Sequence, residues 1–142
     1  MEGTEKLEGK TKIREVKTRI NQNVFRDIVL INFNRKCAIT GFDNSDFLIA
    51  SHILPWSKDK ENRLNPGNGL LLNNLHDKAF ENGYIAINKK YQILICSDFK
   101  KSEDEFVQNY FRAYHRKEMN RPERFLPDIH FLEKHMEEKF LG

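Results

Sequence analysis

A series of short apolar runs, separated by turn residues, constrains the fold more than any other feature of this sequence. The runs lie between residues 37 and 95, and Gly41, Pro66-Gly67 and Gly83 stand among the residues that separate them. Runs of about four to eight apolar residues bounded by Gly, Pro, Asn and Asp are typical of strands. The centre of the chain is therefore expected to be built on short strands.

Two strand hairpins are predicted in this central region. Cys37–Thr40 and Phe47–Leu54 are expected to form the first, with Gly41 and the polar residues after it in the turn. Tyr84–Asn88 and Tyr91–Ile95 are expected to form the second, on either side of two lysines. Each pair would leave one face for a helix to cover.

One helix is predicted between the two hairpins. The segment Leu75–Asn82 follows a short apolar run, Gly69–Leu72, and either Asn73 or Asn74 could cap its first turn. Gly83 comes directly after it, and glycine is the residue that most often ends a helix. This segment is expected to lie beside the strands that precede it.

Helices are also predicted at both ends of the chain. Between residues 13 and 31 the apolar positions recur at steps of three and four, which marks one helical face: Ile13, Val16, Ile20, Val24, Ile28 and Ile31. Ser102–Tyr114 and Asp128–Phe140 are expected to be helical, with Pro122 and Pro127 as interruptions between them. The expected fold class is α+β, with a small strand–strand–helix centre, an additional hairpin, and helices from both ends around it.

Length and composition limit the broad class of protein. A chain of 142 residues fits one domain, assigned to residues 11–142, after a polar segment at 1–10 that is expected to be flexible and leaves open that the chain is a piece of a larger protein. The net charge of +3 and a pI near 8.8 favour a polyanionic partner only weakly. No signal peptide and no apolar run long enough for a membrane span are visible, so a cytoplasmic protein without membrane contact is expected.

The two cysteines exclude one class of metal site. Cys37 and Cys96 are far apart and neither belongs to a CxxC pair, whereas a structural zinc site needs four ligands. A zinc ribbon built on cysteines is therefore excluded. Two separated cysteines are compatible with a reducing compartment.

The most informative residues lie between Cys37 and Gly83. They read C-A-I-T-G, then L-I-A-S-H-I-L-P-W, then N-P-G-N-G-L-L-L-N-N-L-H-D-K-A-F-E-N-G. This order places a histidine on a strand before a proline, an asparagine at the end of a loop, and a His-Asp pair at the beginning of a helix. The stretch resembles the HNH nucleases, and most closely the HNH domains at the ends of bacterial restriction-type endonucleases. The segments Arg19–Arg26 and Phe125–Phe140 are similar to the helices that lead into and close such domains.

The resemblance implies a ββα-metal fold and assigns a role to each motif residue. His52 would activate the attacking water, since imidazole titrates near neutral pH, and Asn68 would hold the loop and His52 in register. One Mg²⁺ ion, or another divalent cation such as Mn²⁺, would be bound between strand and helix. Asp77 is ranked first as its ligand, His76 second, and Glu81 third because it lies one helical turn after Asp77.

One position departs from the wider HNH pattern. Many HNH enzymes carry an acidic or histidine ligand immediately before the catalytic histidine, and this chain has Ser51 there. A hydroxyl binds metal poorly, so a module that keeps the fold and binds DNA without cleaving it is the alternative function. Retention of His52, Asn68, His76 and Asp77 together favours the enzyme.

The expected substrate is double-stranded DNA, hydrolysed at its phosphodiester bonds in a restriction or defence role. Lys58, Lys60 and Arg63 make the loop after His52 basic and are the predicted contacts to the DNA backbone. The sequence does not reject RNA as the substrate, and it does not reveal which DNA sequence or modification is recognised. A homodimer, or fusion to a specificity domain, stays open because a single site of this kind cuts one strand.

Overall fold

The computed structural model describes residues 2–55 and 62–142, without the side chains of residues 2–11 and Thr18. Short strands and helices alternate in the centre, between a long helix at the beginning and a shorter one at the end. The helices are α1 (Glu2–Asn32), α2 (Asn74–Glu81), α3 (Ser97–Lys101), α4 (Glu105–Tyr110) and α5 (Ile129–Lys139), and the strands are β1 (Leu48–His52), β2 (Gly69–Asn73), β3 (Ile85–Ile87) and β4 (Ile93–Ile95). The α+β fold class is confirmed.

The central strand pair is β1 with β2. The strands are antiparallel, with Ser51 opposite Leu70 and His52 opposite Gly69. The predicted hairpin between Cys37–Thr40 and Phe47–Leu54 is therefore wrong, because the first of these segments is not a strand. It forms a tight turn in which the Gly41 amide donates to the Cys37 carbonyl at 2.9 Å. Its apolar residues are buried against the core without joining the sheet.

Helix α2 follows β2 directly, which gives the strand–strand–helix order that was expected. Asn73 caps it, since its side chain accepts a hydrogen bond from the His76 amide at 2.9 Å. Gly83 lies just beyond the helix with φ of +85°, in the left-handed conformation that glycine adopts without strain. The predicted cap and stop are both confirmed, and the cap fixes the direction in which each α2 side chain points.

The second predicted hairpin is confirmed as the antiparallel pair β3–β4. The long helix predicted from residue 102 to residue 114 is shorter in the structure. Asp104 caps α4 at its beginning, and a turn of 3₁₀-helix at Arg112–Tyr114 follows it. The closing helix α5 begins after Asp128, whose side chain accepts from the amides of residues 130 and 131.

Helix α1 is confirmed, but the face predicted to be its apolar face is mostly exposed. Ile13 is 57% exposed, Ile20 is 54% exposed and Ile31 is 64% exposed. Among its described side chains, the hydrophobic ones that α1 buries lie in its last turns, each one position away from this row: Phe25, Val29 and Leu30. Phe33, just after the end of α1, is buried as well. Helix α1 contacts both β1 and β2. Because α1 begins at Glu2, it includes most of the segment predicted to be flexible, and that flexibility stays a prediction.

Gly69 allows α1 to approach the central strands closely. A Cβ atom at this position would lie 2.6 Å from Val29 Cγ2 and 3.1 Å from Phe25 Cζ. Any larger residue would therefore push the helix away from β2. Because Gly69 is paired with His52 across the strands, the same approach brings the Phe25 ring beside His52.

Candidate active site

A cavity of about 250 Å³ lies where β1, α2 and α5 meet. Each of these elements contributes polar side chains to its wall. The end of β1 supplies Ser51 and His52, α2 supplies Asp77 and Glu81, and α5 supplies His135 and Lys139. Three residues predicted for the site, namely His52, Asp77 and Glu81, are thus brought to one cavity.

His52 is held as a neutral imidazole at the edge of this cavity. Its ring stacks on Phe25 with centroids 3.8 Å apart, and its Nε2 lies 2.9 Å from the Arg63 carbonyl oxygen. A carbonyl oxygen only accepts, so Nε2 carries the proton and Nδ1 is the basic nitrogen. Burial lowers the pKa of His52 below its ordinary value, and the bond to Arg63 opposes this only in part. The ring is therefore in the form that can accept a proton.

Asn68 fixes the two residues that follow His52. Its side chain is 1% exposed; its amide oxygen accepts from the Leu54 amide at 2.8 Å and its Nδ2 donates to the Leu54 carbonyl at 3.2 Å. Its own carbonyl accepts from the Ile53 amide at 2.9 Å. Asn68 contacts the backbone after β1 and does not line the cavity, so its place in the structure is that of a positioning residue.

Ser51 and Asp77 connect the strand to the helix. The Ser51 hydroxyl donates to Asp77 Oδ1, and both residues line the cavity. Asp77 lies in the first turn of α2, where the helix dipole favours a negative charge. Glu81 is one turn further along the same face and is exposed to solvent. The two carboxylates therefore share one face of α2 and line the cavity that His52 also lines.

Comparison with known protein families identifies this part of the chain. Residues 37–88 match the family described as HNH endonuclease. The centre of this chain is therefore similar to the HNH endonuclease family. No curated protein matches the chain. The matched residues include β1, β2, α2 and β3, so the HNH domain contains the three motif elements, while α1 and α5 lie outside the match. Enzymes of this family are nucleases that cleave DNA and generally use divalent metal ions.

His76 is not part of the cavity of the HNH domain. It is 2% exposed, its Nδ1 accepts from Asn73 Nδ2 at 2.9 Å, and its Nε2 donates to the Tyr110 carbonyl at 2.7 Å. Both ring nitrogens are thus used within the protein, next to a separate cavity of about 510 Å³ on the other side of α2. The structure therefore gives no support to His76 as a metal ligand, because both of its ring nitrogens are hydrogen-bonded within the protein and it lines a different cavity from Asp77.

The predicted DNA-contacting residues fall mostly outside the described part of the chain. Lys58 and Lys60 lie there, so the structure does not test them. Arg63 is described, and its backbone carbonyl accepts the hydrogen bond from His52 Nε2. A role of its side chain in DNA binding stays a prediction.

His135 is one of the cavity-lining residues that sequence reasoning missed. It is 3% exposed, its Nε2 donates to the Phe80 carbonyl at 2.8 Å, and its ring stacks on Phe80 with centroids 3.7 Å apart. Its Nδ1 is buried without a hydrogen-bond partner in the described chain, although the residue lines the cavity. Burial lowers the pKa of His135, so this ring is also neutral at pH 7. Its partner Phe80 lies 55 residues away, a distance that no local pattern reveals.

The donor set of the cavity fits a hydrated hard cation. Mg²⁺ prefers oxygen ligands and keeps several of its waters, so one or two carboxylates are enough to bind it. Asp77 and Glu81 provide such oxygens, and the lone pair on His135 Nδ1 is a further acceptor in the same wall. Among the described residues, no three His, Cys, Asp or Glu side chains come together in a way that could hold a metal ion.

None of the helices in the described part of the chain combines the length and the apolar character that crossing a bilayer requires.

Proposed function

We propose that this chain is a divalent-metal-dependent endonuclease that hydrolyses phosphodiester bonds in double-stranded DNA, with His52 as the general base. One observation carries the proposal. The imidazole of His52, whose proton is fixed on Nε2 by the Arg63 carbonyl, lines the same cavity as the Asp77 carboxylate. A base and a cation-binding group in one cavity are what the hydrolysis of a phosphodiester requires.

The proposed role of His52 is to take the proton of the attacking water at Nδ1. The resulting hydroxide attacks the phosphorus atom, and the bond to the leaving 3′-oxygen breaks, which leaves a 5′-phosphate as the resemblance to HNH nucleases implies. Stacking on Phe25 and the bond to Arg63 restrict the ring to one orientation. Its lowered pKa keeps the base unprotonated at neutral pH.

Asp77 is the proposed first ligand of the ion, with Glu81 as the second. A bound divalent cation would supply positive charge to the phosphate oxygens as the leaving group develops its charge. Ser51 stands where many HNH enzymes have a ligand, and it contributes by orienting Asp77 through its hydroxyl. Ser51 would therefore act on the ion only through Asp77, which still presents its carboxylate to the cavity.

The proposal also includes the DNA contacts, the biological role and the cleavage of both strands. Lys58, Lys60 and Arg63 are proposed to contact the DNA backbone, where positive charge gives affinity without reading sequence. A restriction or defence role in the cytoplasm is proposed from the resemblance to restriction-type endonucleases. Two copies of the chain, or two sequential events, would be needed to break both strands.

Nicking of a supercoiled plasmid tests the proposed activity. We expect nicking in Mg²⁺ or Mn²⁺, none in EDTA, and a loss of about a hundredfold or more for Asp77→Asn, because the variant lacks the carboxylate that binds the ion. Asp98→Asn is the matched control, since Asp98 is an exposed aspartate in the first turn of α3.

Two outcomes would point to another function. If the protein binds plasmid DNA but does not nick it whichever divalent ion is added, it is the non-catalytic DNA-binding module. Ion-dependent cleavage of duplex RNA without cleavage of DNA would move the activity to RNA. Equal activity of Asp77→Asn and Asp98→Asn would remove Asp77 from the site.

A further inference from the structure

We propose that Lys139, the last residue of α5, binds the phosphate group that is cleaved, so that the closing helix completes the site of the HNH domain. This inference rests on the proposed nuclease function and extends it to a residue outside the matched segment 37–88. Lys139 lines the same cavity as His52 and Asp77. It forms no ion pair with any described residue, so its ammonium group is available to a ligand.

Helix α5 is held firmly against the end of α2, which fixes the position of Lys139. His135 lies one turn before Lys139 and anchors the helix through its bond to the Phe80 carbonyl and its stacking on the Phe80 ring. Gly83 lies directly under the end of α5, where a Cβ atom would come within 1.9 Å of the Lys139 carbonyl oxygen. The Leu141 amide then donates to the Gly83 carbonyl at 2.8 Å. The backbone of Lys139 is therefore clamped at the wall of the cavity.

The charges of the side chains around the cavity leave a role for the positive charge of Lys139. Asp77 and Glu81 are acidic, while His52 and His135 are neutral because burial lowers the pKa of each. Among the described residues that line the cavity, Lys139 is the only lysine or arginine. The formal charge of a divalent ion would be balanced by the two carboxylates, so a lysine would add to the positive charge that such an ion presents to the phosphate. Lys139 would then supply the positive charge that faces the phosphate, whose negative charge increases in the transition state.

The test compares Lys139→Gln and Lys139→Arg with the control Lys134→Gln. Lys134 is an exposed lysine on the same helix that does not line the cavity. We expect kcat/KM for plasmid nicking to fall about tenfold or more in Lys139→Gln, to be largely restored in Lys139→Arg, and to be unchanged in the control. Binding of a short DNA duplex in EDTA should lose about one unit of its salt dependence, d log K/d log[salt], in Lys139→Gln only.

The two readouts separate failure of this inference from failure of the proposed function. If the wild type nicks DNA and Lys139→Gln behaves like Lys134→Gln in both assays, the inference is overturned and the nuclease stands. A loss of nicking that arginine does not restore, with an unchanged salt dependence, reflects disturbed packing and also overturns it. If the wild type nicks nothing, the salt dependence alone decides: a decrease confined to Lys139→Gln supports the phosphate contact, and an unchanged value overturns it.

Discussion

At the scale of single residues, the chemistry depends on which nitrogen of His52 holds the proton. The Arg63 carbonyl fixes that proton on Nε2, and the Phe25 ring removes part of the imidazole from solvent. Both effects act before any substrate binds, so the base is oriented in advance. Burial also lowers the pKa of His52, which determines the pH range in which the base is active.

The pH profile of cleavage should therefore have its acid limb below the ordinary imidazole pKa of about 6.5. A base acts only when it is unprotonated, and a lowered pKa moves the loss of activity to lower pH. We expect kcat/KM to become independent of pH at a lower pH than a histidine of ordinary pKa would give. Initial rates at a saturating concentration of the divalent ion measure this. A rate that still rises tenfold per pH unit above pH 7 would exclude His52 as the group that titrates.

The residues of the site could be predicted from the sequence only to the extent that they lie within the local motif. His52 and Asp77 were identified from their flanking residues, and both line the cavity. His76 and Asp77 are adjacent, yet one step along a helix is a rotation of about 100°, and the two side chains reach different cavities. Which of them faces β1 depends on where α2 begins. His135 and Lys139 could not be found, because their neighbours in the site come from remote parts of the chain.

At the scale of elements, the cap and the turn residues were more informative than the apolar pattern. Asn73 and Gly83 marked the beginning and the end of α2 correctly. Cys37–Thr40 was interpreted as a strand because its residues are apolar, although they are buried in a turn. A buried segment is apolar whether or not it joins a sheet, so an apolar run does not distinguish a strand from a buried turn. The partner of β1 is instead Gly69–Asn73, and such long-range pairing leaves no local signal.

Two neighbouring residues on α1 test which of its faces supports the fold. Leu30 is 5% exposed and packs in the core, whereas Ile31 is 64% exposed. We expect Leu30→Ala to lower the free energy of unfolding by about 2–5 kcal/mol, because it leaves a cavity. Ile31→Ala should change it by less than about 0.5 kcal/mol, since exposed positions contribute little.

Urea denaturation followed by circular dichroism measures both values for the α1 pair. The comparison is well matched, since both variants replace a branched aliphatic residue on the same helix with alanine. A larger destabilisation by Ile31→Ala than by Leu30→Ala would show that the predicted face, and not the observed one, packs against the rest of the protein.

At the scale of the whole molecule, the HNH domain depends on helices that lie outside its matched segment. Helix α1 supplies Phe25, which stacks on His52, and α5 supplies His135 and Lys139 to the cavity. The segment 37–88 alone would lack these groups. The flanking helices are thus expected to affect catalysis as well as stability.

The most direct measurement is cleavage and binding of DNA by His52→Ala, with His130→Ala as the control on an exposed histidine. We predict that His52→Ala reduces the rate of ion-dependent plasmid nicking by about 10²–10⁴-fold, the usual contribution of a general base. The affinity for DNA and the thermal stability should stay close to those of the wild type, and His130→Ala should retain full activity. Nicking by folded His52→Ala at the wild-type rate would contradict the assignment of the general base.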